Sequence, residues 1–190
     1  MRRGIQGSVI LALSPVLLCL TGCEPPTGGE DASNGTPPDA TATTGDPWGP
    51  MPETVEPFYF TEFEEWVGQP IASQDLARLI QRPIPTALDE GPAFLMFYRE
   101  DCEHCHHMLE EWFTESVPAP TIAVAVPDAD PANAIPFPST LVERRSLPLG
   151  PQYVISTPAL FAIKDGVVTG FASDPDQPEQ VEACLSSNSK

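Results

Sequence analysis

The chain has 190 residues, which is enough for one ordinary domain with additional terminal segments. Its formal net charge of -18 argues against a nucleic-acid or anionic-lipid partner recognised through basic patches. Its 24 prolines are too many for one compact domain, and their clustering predicts a linker and long loops.

Residues 1–22 have the composition of a secretion signal. Arg2 and Arg3 provide a positively charged start, and an apolar run at 9–20 follows, interrupted by Pro15. This run of about 12 residues is too short to cross a bilayer, which takes about 20. We therefore predict that residues 1–22 are a signal peptide.

The segment Leu20-Thr21-Gly22-Cys23 resembles the bacterial lipobox. In that family the cysteine is lipidated and becomes the mature N-terminus. The resemblance implies that Cys23 anchors the protein to a membrane of the cell envelope, facing the periplasm or the exterior. Glu24, in place of the Asp that retains some lipoproteins in the inner membrane, favours the outer membrane. The alternative is ordinary secretion, in which Cys23 has no role.

Residues 23–57 are predicted to be a disordered, acidic tether. They are rich in Pro, Gly and Thr, lack basic residues and contain few large apolar side chains. Such a segment buries too little apolar surface to offset the conformational entropy lost on ordering it. Trp48 and Met51 are interpreted as solvated positions of this tether. The folded domain is predicted to span residues 58–190.

The folded domain is predicted to contain both strands and helices. Residues 58–60 form a first strand or an aromatic anchor, and a helix at 73–83 follows, with Ser73 as N-cap and Pro83 as its end. The later elements are a strand at 93–98, a helix at 102–114, a strand at 121–126, a short helix at 139–146, a hairpin of 159–163 and 167–171, and a helix at 177–186.

The order of these elements predicts an α/β fold. A strand–helix–strand unit followed by an antiparallel hairpin and a terminal helix requires a mixed sheet with helices on both faces. Asp165-Gly166 is the strongest turn signal, because both residues tolerate the positive φ of a tight hairpin. In the last helix, Val181, Cys184 and Leu185 share one inward face, which predicts that Cys184 is a buried core thiol.

The stretch Asp101-Cys102-Glu103-His104-Cys105-His106-His107 holds most of the candidate chemistry. It follows the strand at 93–98 and opens the helix at 102–114. Two cysteines separated by two residues on the first turn of a helix form either a redox pair or half of a metal site.

With Thr157-Pro158 placed just before the hairpin, the chain resembles the thioredoxin-like superfamily over residues 93–186. The resemblance implies a three-layer fold with a central mixed sheet and helices on both faces. It also implies a cis peptide bond before Pro158 and a Thr157 backbone that pairs with a bound substrate chain.

The sequence departs from the family pattern at the motif itself. Asp101 replaces the usual Trp before the first cysteine, Met96 replaces a buried acidic residue, and Glu103-His104 replaces Gly-Pro. The family branches that share His104 and Thr157 differ in the direction of electron flow, so oxidation, reduction and isomerisation of protein disulfides all remain open.

The resemblance implies a thiol–disulfide oxidoreductase, whose partners are protein thiols or disulfides and a separate redox protein. The thiolate is the attacking species. A helix N-terminus favours the anion at Cys102, and His104 would stabilise it further, whereas Asp101 and Glu103 would oppose it. Cys105, one turn later, is the expected resolving thiol. No cofactor beyond the redox-active disulfide is expected.

A metal site made by Cys102, Cys105, His104, His106 and His107 is the first alternative. Thiolates with imidazoles suit Cu(I) or Zn, which would make this a copper-handling protein with copper as its ligand. Against this alternative, no distant ligand completes a tetrahedral set, and a helix points the three histidines in different directions.

Helix geometry gives His106 and His107 a more ordinary interpretation as solvated residues, with His107 paired to Glu103 or Glu111. The second alternative is an interaction module whose Cys102–Cys105 disulfide is only structural. Such a short loop gains little entropic stabilisation from a disulfide, which favours a functional pair.

Overall fold

The computed structural model describes residues 46–52, 57–60, 62–127, 130–138 and 141–188. The predicted signal peptide at 1–22, Cys23 with its lipid, and residues 24–45 and 53–56 of the predicted tether lie outside the described residues. Within the described ranges, no helix has the length and apolarity needed to cross a membrane.

The fold is mixed α/β, as predicted, and is built on a five-stranded sheet. In chain order the strands are β1 (Phe58–Phe60), β2 (Pro92–Tyr98), β3 (Thr121–Ala125), β4 (Glu143–Ser146), β5 (Tyr153–Ile155), β6 (Ala159–Lys164) and β7 (Val167–Ala172). The main sheet has the order β4-β3-β2-β6-β7, while β1 and β5 form a separate parallel pair.

The main sheet combines both strand directions. β4, β3 and β2 run parallel, whereas β6 is antiparallel to β2 and to β7. The hairpin of β6 and β7 turns at Asp165 and Gly166, whose φ angles are 49° and 78°. Both angles are positive, as the tightest hairpin turns require, so the predicted Asp-Gly turn is confirmed.

Among the described residues, three α-helices accompany the sheet, namely α1 (Asp75–Arg78), α2 (Glu103–Trp112) and α3 (Pro178–Ser187). Short 3-10 segments lie at 63–66, 71–73, 86–88 and 131–133. The predicted helices at 102–114 and 177–186 are thus confirmed to within two residues at each end.

Side chains of β2 divide between two hydrophobic clusters, because successive residues of a strand point to opposite faces. Leu95 and Phe97 join a cluster with the short helical segments of the first half of the domain. The other cluster combines β2 with α2 and α3, and its members include Phe94, Met96, Cys105, Met108, Leu109, Phe113, Val181 and Cys184.

The short helix predicted at 139–146 is wrong, because residues 143–146 are strand β4. This strand pairs with β3 from Ile122 opposite Glu143 to Ala125 opposite Ser146. The neighbouring strand supplies the backbone hydrogen bonds, and such long-range pairing overrides a weak local helix preference.

The helix predicted at 73–83 is also shorter than expected. Ser73 ends a 3-10 turn and its hydroxyl donates to the Pro70 carbonyl at 2.7 Å, so Gln74 occupies the N-cap of α1 instead. The chain then leaves the helix after Arg78 and passes through a cis bond between Arg82 and Pro83.

Trp48 corrects the predicted start of the folded domain. Its side chain is 1 % exposed, and its indole N–H donates to the Asp89 carboxylate at 2.7 Å. Arg78 and Arg82 donate to the carbonyls of Trp48 and Gly49 at 3.3 and 2.8 Å. The packed domain therefore includes part of the segment assigned to the tether and begins by residue 46, not at 58.

Candidate redox site

Cys102 and Cys105 form a disulfide at the start of α2, with their Cα atoms 5.2 Å apart. Cys102 is the N-cap residue, with extended backbone angles, and Cys105 lies on the first helical turn. The Cys102 sulfur accepts a hydrogen bond from the Cys105 backbone N–H at 3.1 Å. An N-cap side chain normally satisfies a free N–H of the first turn, and here a sulfur does so.

The two cysteines differ in their exposure to solvent. Cys105 is fully buried in the cluster formed by β2, α2 and α3, whereas Cys102 is partly exposed. Helical spacing explains the burial, because Cys105, Met108 and Leu109 fall on one face of α2. Of the two cysteines, Cys102 is therefore the more accessible to another molecule.

The Thr157–Pro158 loop lies against the disulfide. Its peptide bond is cis, as the resemblance implied, and Pro158 is buried. The Thr157 carbonyl oxygen is 3.7 Å from the Cys102 sulfur. In the disulfide this sulfur has no proton to donate, but in the reduced protein the same carbonyl faces the Cys102 thiol.

His104 and His107 lie close to carboxylates at the surface. The exposed His104 ring has Nε2 3.9 Å from Asp176, and His107 lies 3.6 Å from the same carboxylate. His107 also pairs with Glu111 at 3.1 Å, which confirms one of its two predicted partners. The described contacts of the Cys102 sulfur do not include His104, so the role of His104 in stabilising a thiolate stays a prediction.

His106 is buried, and the prediction that it is solvated is wrong. Its side chain is 4 % exposed, and Nε2 lies 3.2 Å from the Glu100 carbonyl oxygen. The sequence held a signal for this burial, because Leu109 and Phe113 follow His106 at i+3 and i+7 on the buried stripe of α2. Clustering of three histidines in the sequence concealed that periodicity.

The five residues proposed as a metal site are thus dispersed. Two are joined as a disulfide, two histidines face carboxylates at the surface, and the third is buried against a carbonyl. In the part of the chain that the structure describes, no group of three or more His, Cys, Asp or Glu side chains is placed to hold a metal ion.

Comparisons of the chain with protein-family models, with curated proteins and with solved structures found no match. The geometry of the residues around the disulfide is therefore the basis for a proposed function.

The turn before Cys102 is held by contacts that the sequence did not reveal. The Asp101 carboxylate accepts the Asp130 N–H at 2.9 Å, and the Glu100 carbonyl accepts the Ile135 N–H at 2.8 Å. Arg99 donates to the Tyr153 carbonyl at 2.7 Å. Asp101, unexplained by the sequence, thus anchors a loop instead of facing the cysteine sulfur.

Arg144 completes this surrounding network. Its guanidinium lies 3.0 Å from the Glu100 carboxylate and 3.2 Å from the Tyr98 hydroxyl, and it stacks over Phe137 at 4.7 Å. Burial raises the pKa of Tyr98, and the hydrogen bond from Arg144 opposes that rise. The Glu100 carboxylate, two residues before Cys102, is thus paired with a cation.

Cys184 lies on the inward face of α3, as predicted. It is 2 % exposed, and its thiol faces the Leu160 carbonyl at 3.8 Å. Burial raises the pKa of Cys184 to about 12 from an ordinary value of 9.0. A thiol that stays protonated in the core behaves as a small apolar side chain.

Proposed function

We propose that this protein is a thiol–disulfide oxidoreductase of the thioredoxin-like type, acting on protein disulfides outside the cytoplasm. The observation that carries the proposal is the asymmetry of the disulfide. It joins a partly exposed cysteine at a helix N-cap to a fully buried cysteine one turn later. A purely structural cross-link between residues three apart needs no such difference and adds little stability.

The geometry suits a two-step exchange. In the reduced protein, the Cys102 thiolate attacks one sulfur of a substrate disulfide, and the other substrate sulfur leaves as a thiolate. Cys105 then attacks the Cys102 sulfur, which closes the Cys102–Cys105 disulfide and releases the second substrate thiol. Two electrons pass to the substrate, and the reverse sequence oxidises a dithiol.

Backbone groups would assist both steps. The Cys105 N–H, 3.1 Å from the Cys102 sulfur, is placed to stabilise a thiolate at this position. Thr157 lies beside the same sulfur, which supports a role for its backbone in aligning a substrate chain. Burial of Cys105 keeps the resolving thiol away from other molecules until Cys102 carries the mixed disulfide.

The fold supports the same proposal. β2 leads directly into the cysteine motif, α2 follows it, and Pro158 precedes the β6–β7 hairpin. We propose that these elements form the thioredoxin-like three-layer arrangement, with the central mixed sheet between helices.

The cellular setting is proposed from the N-terminal sequence. Lipidation of Cys23 would anchor the domain in the cell envelope, facing the periplasm or the exterior, with protein disulfides and a second redox protein as partners. Such a compartment permits disulfides to form and persist.

Trapping of the mixed disulfide tests the function. A reduced Cys105→Ala variant should accumulate a covalent complex with a disulfide-bonded substrate such as insulin, because the step that releases it is removed. The matched Cys102→Ala variant should trap none. Turnover of insulin disulfides by the unaltered protein gives the activity, and the reduction potential of the Cys102–Cys105 pair gives the direction of electron flow. Absence of both turnover and trapping would refute the proposal.

A further inference from the structure

His106 is a buried polar side chain with only half of its hydrogen-bonding capacity used. Nε2 contacts the Glu100 carbonyl at 3.2 Å, whereas Nδ1 is buried without a hydrogen-bond partner among the described residues. A carbonyl oxygen only accepts hydrogen bonds, so Nε2 must carry the proton that it donates. The geometry therefore requires a proton on Nε2.

This hydrogen bond joins the two ends of the segment that contains both cysteines. Glu100 lies two residues before Cys102, and His106 directly follows Cys105. Residues from Cys102 onward are fixed by the helix itself, since the Cys105 and His106 N–H groups both donate to the Cys102 carbonyl, at 3.1 and 3.2 Å. Glu100 lies outside the helix and receives no such support.

We propose that His106 is a positioning residue of the redox site. Through the Glu100 carbonyl, it fixes the turn that holds Cys102 at the N-cap of α2, where the sulfur meets the Cys105 N–H. The role in exchange rests on the function proposed above, whereas the effect on Cys102 is a property of the site alone.

The physical consequence concerns the thiolate of the reduced protein. Without the His106 donor, the Glu100 carbonyl keeps the Ile135 N–H among its described contacts, and the turn loses its hydrogen bond to a side chain of α2. The Cys102 sulfur then spends less time against the Cys105 N–H, so less of it is ionised. Loss of one hydrogen bond of ordinary strength corresponds to roughly a fivefold change in an equilibrium.

Three variants of the full chain test this proposal after reduction of the disulfide. His106→Leu fills the site without a donor, and His106→Gln restores a donor near the position of Nε2. His107→Leu is the matched control, because that ring lies on the same helix but is exposed. The measured quantity is the rate of Cys102 alkylation by iodoacetamide, at a pH below the pKa of its thiol, with peptides identified by mass spectrometry.

We expect His106→Leu to slow alkylation of Cys102 by roughly fivefold, His106→Gln to recover most of the rate, and His107→Leu to leave it unchanged. An unchanged rate in His106→Leu would overturn the proposal. So would a His106→Gln variant as slow as His106→Leu, since packing alone would then explain the effect. Thermal midpoints measured in parallel identify any variant that is unfolded.

A measurement on the unaltered protein covers the case in which the Leu variant does not fold. Nitrogen chemical shifts of the imidazoles should show His106 protonated at Nε2, and a ring protonated only at Nδ1 would overturn the proposal. The alkylation series also separates the two proposals. If the protein turned over no disulfide substrate while the Leu and Gln variants still differed, the proposed function would fail and the role of His106 would stand.

Discussion

The three thiols of the domain should differ in reactivity once the disulfide is reduced. Cys102 is partly exposed at the start of α2, Cys105 is buried one turn later, and Cys184 is buried in α3. The perturbation is reduction under native conditions followed by a short exposure to iodoacetamide. Only thiolates react appreciably with this reagent, so the ionised fraction of each thiol sets its rate.

The expected difference follows from the pKa of Cys184, which burial raises to about 12 from 9.0. At about pH 8, a thiol of pKa 12 is ionised to roughly one part in ten thousand, and a thiol of pKa 9.0 to about one part in ten. Cys184 should therefore react about a thousandfold more slowly than an ordinary thiol, before its inaccessibility is counted. Its rate should keep rising about tenfold per pH unit, because more thiolate forms, up to a pH near 12.

Mass spectrometry of the labelled peptides gives the three rates separately. Cys102 should be labelled first and Cys184 last, and urea should remove the difference because unfolding exposes all three thiols. Labelling of Cys184 at a rate close to that of Cys102 in the folded protein would refute both the burial of Cys184 and the assignment of Cys102 as the attacking thiol.

Two further predictions concern packing. A Cβ added to Gly170 would lie 2.6 Å from the Ser187 hydroxyl and 3.2 Å from the Cys184 Cα. Gly170→Ala should therefore destabilise the domain by about 1–3 kcal/mol. Each kcal/mol should lower the thermal midpoint by about 2–4 °C. Adding Ser187→Ala should recover part of this loss, and an undiminished midpoint in the single variant would contradict the close contact. Trp48→Ala should cost about 3–5 kcal/mol in urea unfolding, because it empties a buried site and leaves Asp89 without its indole partner. A change below about 1 kcal/mol would instead place Trp48 outside the cooperative domain.

The parts of the fold that sequence predicted well have a strong local signal. The apolar run of β2, the helical stripe of α2 and the Asp-Gly turn each specify one element without help from distant residues. The cysteine positions on α2 followed from the same local rules.

The errors arose where distant partners decide the structure. Strand β4 forms because it pairs with β3, and the sequence of residues 143–146 does not by itself indicate that a neighbouring strand is present. Trp48 sits in a stretch whose composition predicts disorder, yet one indole with a carboxylate partner is enough to bury it. The wrong prediction for His106 has a different cause. The neighbouring histidines suggested a cluster of metal ligands, whereas the helical spacing of His106 from Leu109 and Phe113 indicated a position in the core.

Strand β4 is also an edge strand of the main sheet, and its side chains affect whether a strand of another molecule can pair with that edge. It lies at the end of the strand order, and Glu143, Arg144 and Arg145 supply charged groups along it. Charges on an edge strand must lose their water before a second strand can pair there, which discourages edge-to-edge aggregation. Arg144 pairs with Glu100, and Arg145 pairs with Glu143. These ion pairs thus protect the edge of the sheet against pairing with another strand, without a helix to cover it.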